Sequence, residues 1–233
     1  MKKILFFTTT AAMMIFATSC GQKTNSQKNE AIVSEDSANE QTTIETVLPI
    51  DPLTFDEGVV INGIKWATRN VAAPGTFAAT PEDAGMFYKW NSKKAWATTG
   101  DEVTDWDNGI SYDEIWAKSN DPSPAGWHVP TDAEIRTLLY DDDKVSNEWT
   151  TQNGIDGRKF TDKATGKSIF FPAVGYRSGP DGTLNLVGLQ GDYWTSTTDC
   201  IDCFYGAYVC EYEVGSCMGE NRDYAYGVRS VAD

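Results

Sequence analysis

The hydrophobic pattern changes character along the chain before a folded domain begins. Lys2 and Lys3 precede a short apolar run from Ile4 to Ala17. A basic start and an apolar run of this length read as a secretion signal over 1–19, too short for a stable transmembrane helix. From 21 to about 48, Gln, Asn, Ser, Thr, Lys and Glu dominate, and large apolar residues nearly vanish. Such a segment buries too little surface to offset its ordering entropy. Residues 20–48 therefore read as a flexible tether, and 49–233 as one domain.

Within the domain the periodicity is that of short strands. Val59-Val60-Ile61 and Lys65-Trp66-Ala67 flank Asn62-Gly63, a strong hairpin signal. Met86 to Trp90, Ser168 to Phe171 and Asp192 to Ser196 read as further strands. Gly154 to Gly166 reads as a turn-rich stretch. Phe204 to Tyr212 alternates, with Tyr208, Cys210 and Tyr212 on one face, and Tyr224 to Val231 reads as a last strand antiparallel to it. The most specified backbone runs from Asp121 to Glu134. Pro122, Pro124 and Pro130 fix φ and remove donors. Thr131 and Glu134 have capping-box spacing, and Ile135, Leu138 and Leu139 form one helical stripe. This predicts a rigid corner that delivers Trp127 into the interior and launches a short helix. The expected fold class is α+β: loop-rich, with short antiparallel strands and one or two short helices.

From Asn91 to Asn120 the pattern fades. Trp96, Trp106 and Trp116 stand at irregular spacing among acidic residues. A stretch of this length with little periodicity is often functional, and an exposed indole stacks on a sugar or anchors a protein partner. These three tryptophans are the candidate ligand-binding residues, weighed against the plainer role of pinning the loop. Trp66, Trp90, Trp127 and Trp194 are expected in the core.

Ala17-Thr18-Ser19-Cys20 reads as a lipobox, making Cys20 the acylated N-terminus of the mature chain. Several acyl chains anchor a protein stably. Gly21 after the cysteine suits sorting to an outer membrane, with the periplasmic and cell-surface sides both open. Removing residues 1–19 deletes two lysines and no acid, taking the formal charge from −15 to about −17. No basic stripe exists to displace nucleic-acid counterions, which excludes nucleic acid as a partner. It also argues against electrostatic docking to anionic lipid.

Cys200, Cys203, Cys210 and Cys217 remain in an exported chain. An even number suggests two disulfides. Three connectivities are possible, and local pairing favours Cys200–Cys203 with Cys210–Cys217. A four-thiolate zinc site is the alternative, although only the first pair has knuckle spacing. His128 is the only histidine, and within the proline corner it reads as packed or surface rather than catalytic. Asp141-Asp142-Asp143 and Asp105-Trp106-Asp107-Asn108 lack calcium-loop spacing and read as solvated turns. No cofactor is expected.

The corner resembles the signature of the Fibrobacter succinogenes major paralogous domain family. Val60 to Val71, Pro74 to Ala78, Gly85 to Asn91, Phe171 to Arg177, Gly191 to Thr197 and Gly227 to Val231 are similar to that family's other blocks, in the same order. The resemblance implies a single C-type lectin-like domain, related in fold to formylglycine-generating enzymes. No cysteine matches the pair those enzymes depend on. The family pattern carries cysteines where this chain has Ser123 and Ser230. If those cysteines pair, both serines should lie close in space. The reading that follows is a non-catalytic envelope binding or adhesion module for glycan or protein. A structural accessory subunit of an envelope assembly is the second reading.

Overall fold

The computed structural model describes residues 51–233 except 102, 108, 180, 201–202 and 219–221, and describes no side chain at 199, 200, 203–205, 217 or 218. The leader, the tether and Cys20 lie outside the described residues. Strands β1 (Val59–Ile61) and β2 (Ile64–Trp66) form the first hairpin. Asn62 at φ 46 and Gly63 at φ 82 both take the left-handed conformation that a type I′ turn needs. Strands β3 (Met86–Lys89) and β4 (Ala95–Ala97) pair next. The corner contributes β5 (Trp127–His128), followed by α1 (Asp132–Leu139).

The capping box is present in full. Thr131 Oγ1 accepts from Glu134 N, and Glu134 Oε2 accepts from Thr131 N at 2.7 Å. Ile135, Leu138 and Leu139 are the buried stripe. The 121–130 loop is braced by Asp121, whose carboxylate accepts from Ser123 N at 2.8 Å and Val129 N at 3.0 Å. Ser123 Oγ and Ser230 Oγ lie 2.7 Å apart, so the expected proximity holds.

The remaining strands are β6 (Val145–Gln152), β7 (Ile155–Asp162), β8 (Ser168–Pro172), β9 (Tyr176–Arg177), β10 (Leu184–Asn185), β11 (Gln190–Cys200), β12 (Cys203–Cys210), β13 (Val214–Met218), β14 (Ala225–Tyr226) and β15 (Val231–Ala232). They join four small sheets, ordered β1-β2-β15-β5, β10-β9-β14-β3-β4, β11-β12-β13 and β6-β7-β8. All strand pairs in these sheets are antiparallel. With one eight-residue α-helix and one 3-10 turn at Lys118–Asn120 among the described residues, the fold they form is mostly β.

Two strand readings are corrected. The turn-rich stretch from Gly154 to Gly166 holds a full strand: β6 and β7 pair over their full length around Asn153-Gly154. The flanks are largely polar because β6 is an edge strand, and that polarity masked the hairpin. The tail from Tyr224 does not pair with β12. It splits into β14, between β3 and β9, and β15, between β2 and β5, while β13 takes the place beside β12.

Trp66, Trp90 and Trp194 are each at most 1% exposed, with the Trp194 indole donating to Tyr88 O at 2.6 Å. Phe171 meets Trp66, Phe160 and Tyr193 edge-on at 6.0, 5.4 and 5.0 Å. Trp127 departs from expectation, being half-buried rather than central. Its ring stands edge-on to Phe77 at 5.5 Å, with Lys65 Nζ 5.6 Å from its centroid. The ring lies against Gly58, where a Cβ would meet its edge at 2.8 Å. The interior is filled by the other indoles, and the corner sends Val129, 1% exposed, inward instead.

Two arginines are fully buried, and both bind main chain. Arg177 donates through Nε to Ala97 O at 2.7 Å, Nη1 to Gly182 O at 2.7 Å, and Nη2 to Thr99 O and Gly100 O at 2.8 Å. Arg229 donates to Asn70 Oδ1 at 2.9 Å and to the carbonyls of Ala67 and Thr68, and lies over the Phe171 ring. Burial pulls its guanidinium down to about 10, against the opposing influence of Tyr193 and Asp56, so it stays charged at neutral pH.

Candidate ligand-binding site

Strand β3 ends at Lys89, and two residues on, at Asn91, the backbone turns left-handed with φ 55. Asparagine tolerates that conformation better than most side chains, and it places Asn91 under the irregular segment as a hub. Asn91 Nδ2 donates to Asp113 Oδ2 at 2.7 Å and to Ser111 Oγ at 3.3 Å. Its Oδ1 accepts from Ala117 N at 2.8 Å and Asn120 Nδ2 at 3.3 Å. One 4% exposed side chain thus gathers both ends of 111–120.

The candidate tryptophans take the pinning role. Trp96 and Trp116 are 4% and 7% exposed, and Trp106 is half-buried. Trp96 packs on Trp106 at 4.7 Å, and Trp90 meets Trp116 edge-on at 5.4 Å. Trp106 also fills the space over Gly182, where a Cβ would meet the ring at 2.6 Å. The reason is physical: a segment without a strand ladder needs large apolar contacts to stay attached. Trp96 and Trp116 thus present little surface, though each lines a cleft, and Trp106 is half-buried.

Cations lie close to the rings of Trp106, Trp96 and Trp90. Lys89 Nζ lies 4.4 Å from the Trp106 centroid, Lys94 Nζ 4.2 Å from Trp96, and the Arg222 guanidinium 5.1 Å from Trp90. Burial pushes the Lys89 ammonium down, with Asp107 and Asp223 opposing. Lys89 also donates to Asp107 O, and Arg222 to Ser111 O.

What the segment shows to solvent is different. Ile110, Tyr112 and Ile115 are 40%, 69% and 75% exposed. Ile110 lines a polar cleft of about 360 Å³ together with Asn91, Ser92, Lys94, Ser111, Asp113 and Asn120, and Tyr112 stands between two of those lining residues. A second cleft, about 580 Å³, lies on the corner side, between Trp116, Lys93 and Lys118 and the 121–129 loop. No family model, curated protein or solved structure matches this chain.

His128 lines the second cleft with both ring nitrogens engaged. Nδ1 lies 2.9 Å from Asp233 Oδ1, and Nε2 3.4 Å from Glu134 Oε1. The bond to Glu134 raises its pKa above the ordinary value, burial opposes, and Asp233 adds to the rise. Burial alone would raise the Glu134 carboxyl, but His128 and Thr131 overturn that and hold it at about 2. The imidazolium therefore stabilises the fold fully below the unfolded histidine pKa, and that contribution fades as pH rises through the raised folded value. The Glu134 contribution is present above the unfolded carboxylate pKa and fades as pH falls toward about 2. His128→Gln is expected to cost roughly 0.5–1 kcal/mol near pH 5.5, screened by solvent, and clearly less at pH 9. Urea unfolding at both pH values checks this, and an equal loss at both would contradict it.

The cysteine expectation changes in one respect. Cys210 carries a free thiol. Cys217 sits opposite Gly206 in the β12–β13 register, about four residues along the strand from Cys210, or ~13 Å at the usual rise. That separation rules out the Cys210–Cys217 bridge. Cys200 and Cys203 are register partners at the end of the β11–β12 hairpin; their side chains, like that of Cys217, lie outside the description. Asp141 turns to Asn62 and Lys144, at 3.0 and 3.1 Å. Among the described residues no group of three or more His, Cys, Asp or Glu is placed to hold a metal ion.

The exposed Tyr112 and Ile115 were missed by sequence reasoning. Their signal was present: two large apolar residues set between acidic neighbours in Ser111-Tyr112-Asp113-Glu114-Ile115, in a segment with no periodicity to bury them.

Proposed function

We propose that this protein is an envelope lipoprotein, anchored through Cys20 to an outer membrane, whose C-type lectin-like domain is a non-catalytic binding or adhesion module for glycan or an envelope protein. The ligand engages the 110–115 rim and the adjoining cleft. One observation carries the reading: a buried asparagine presets a polar cleft beside an exposed tyrosine. Paired amide, hydroxyl and carboxylate groups next to an aromatic ring suit polyol recognition, since hydroxyls find donors and acceptors while C–H faces lie on the ring. The lipobox, the polar tether and the block-by-block resemblance to the Fibrobacter succinogenes major paralogous domain family support the envelope setting and the lectin-like fold. The engagement of both His128 nitrogens by carboxylates supports a non-catalytic role.

A glycan array followed by titration of the hits tests it. Tyr112→Ala is expected to weaken binding about tenfold, which is about 1.4 kcal/mol, with no change in thermal stability. Trp106→Ala is expected to lower both binding and stability, because that ring supports the segment from beneath. Full affinity in Tyr112→Ala/Ile115→Ala would remove this face from consideration.

A further inference from the structure

Away from the cleft, three tight turns bring exposed apolar side chains together. Ile155 at the β6–β7 turn, Leu186, Val187 and Leu189 before β11, and Tyr212 at the β12–β13 turn are 43%, 41%, 54%, 65% and 89% exposed. Main-chain bonds join their loops: Ala173 N to Asp156 O and Gly188 N to Ala173 O, each at 2.8 Å. Arg158 on β7 donates to Cys210 O at 2.6 Å, and Gln190 is the register partner of Cys210.

These residues are held rather than loose. Leu186 adopts φ 55, a left-handed conformation that leucine rarely takes. Such a residue persists only where its surroundings over-determine it, and these positions cluster at functional sites. The surroundings here are explicit. Leu186 O accepts from Leu189 N and Gln190 N at 3.0 Å. Gly175 passes so close that a Cβ would meet Asn185 O at 2.1 Å.

We propose that this apolar end docks onto the surface of the lipid bilayer that carries the anchor. Three observations favour lipid over a protein partner. The side chains project from separate turns, and the amides of Gly188, Leu189, Gln190 and Cys210 are already bonded within the protein, as a segment entering an apolar boundary requires. Aliphatic side chains with a tyrosine suit the headgroup boundary, where the ring buries its body and wets its hydroxyl. The described chain enters at 51–55, with Leu53 and Phe55 46% and 45% exposed. Arg69 ties that entry to Ala78 O, and Glu82, four residues on, accepts from Gln152 and Asn153 at the β6–β7 tip. The first described residues are thus linked, through Arg69 and the 78–82 loop, to the β6–β7 tip that carries Ile155. Asp156 adjoins Ile155, and the exposed Glu211 and Glu213 adjoin Tyr212, so the contact is apolar and anionic lipid weakens it.

This inference rests on the envelope-lipoprotein reading, which the mass of Cys20-containing peptide from cells tests separately. The docking test uses the unacylated chain from Gly21 and flotation with phosphatidylcholine vesicles at millimolar lipid. The expected result is a floated fraction that rises with lipid, resists high salt and falls when phosphatidylglycerol is added. Val187→Asp/Leu189→Asp, both at exposed positions, is expected to float about tenfold less or weaker still, with an unchanged melting temperature. No flotation of the parent, equal flotation of the double variant, or a dimer in sedimentation that the double variant abolishes without any flotation would each overturn the proposal.

Discussion

Cysteines placed together at positions 123 and 230 are expected to oxidise spontaneously and make the protein about 2–4 kcal/mol more stable than its reduced form. The hydroxyl oxygens already lie 2.7 Å apart across 107 residues of chain. Closing a loop of that size removes about 4–5 kcal/mol of unfolded-state entropy in the chain model, and a small native readjustment to the S–S length lowers the net gain. Ser230 is fully buried, so Ser230→Cys alone leaves the Ser123 hydroxyl poorly matched and is expected to cost about 1 kcal/mol. Urea unfolding with and without reductant, and peptide mapping of the 123–230 link, check the prediction. Unreacted thiols at these positions would contradict the geometry of the corner against β15.

The second large effect concerns Arg177. Truncation to Met removes donors to four carbonyls, at Ala97, Thr99, Gly100 and Gly182. The buried Gly182 carbonyl left without a donor costs about 1–3 kcal/mol, those of the exposed Ala97, Thr99 and Gly100 cost less because water reaches them, and the cavity left by the buried side chain adds to the loss. Rearrangement and water entry reduce the sum, and a net loss of about 3–5 kcal/mol is expected, in line with other broken buried polar networks. Arg177→Lys is expected to rescue little, because one ammonium cannot span the positions a planar guanidinium holds. The damage should be regional as well as global. The 97–100 carbonyls lead into the segment carrying Trp106, and Gly182 lies under that ring. Amide exchange across 97–106 should therefore rise more than across α1. Uniform loss of protection would show that Arg177 supports the whole domain without favouring the candidate site.

Much of the frame was legible because local chemistry decided it. Asn62-Gly63 announces a hairpin since both turn residues need positive φ, and Thr131 with Glu134 announces a helix start because each satisfies the other's backbone. The second hairpin carried the same signal at Asn153-Gly154, yet its edge strand is too polar to show alternation. Buried arginines were not legible at all. Arg177 and Arg229 look like surface cations by hydropathy, and what makes them interior is a set of carbonyls contributed by distant parts of the chain. The tryptophans show the limit in the other direction. Aromatic content in the 91–120 segment correctly marked it as unusual, but a sequence cannot distinguish an indole that meets a ligand from one that holds the loop that does. Trp127 fell to the same ambiguity, since the rigid corner was read correctly and the direction of its ring was not.

On the proposed function, ligand meets the prebuilt surface beside Asn91. The most direct measurement is an amide-exchange footprint of the domain with and without a bound glycan from the array. Protection is expected at 110–115 and around Asn91, with α1 and the β6–β7 hairpin unchanged. Protection confined to the cleft at His128, or none within 91–120, would contradict it.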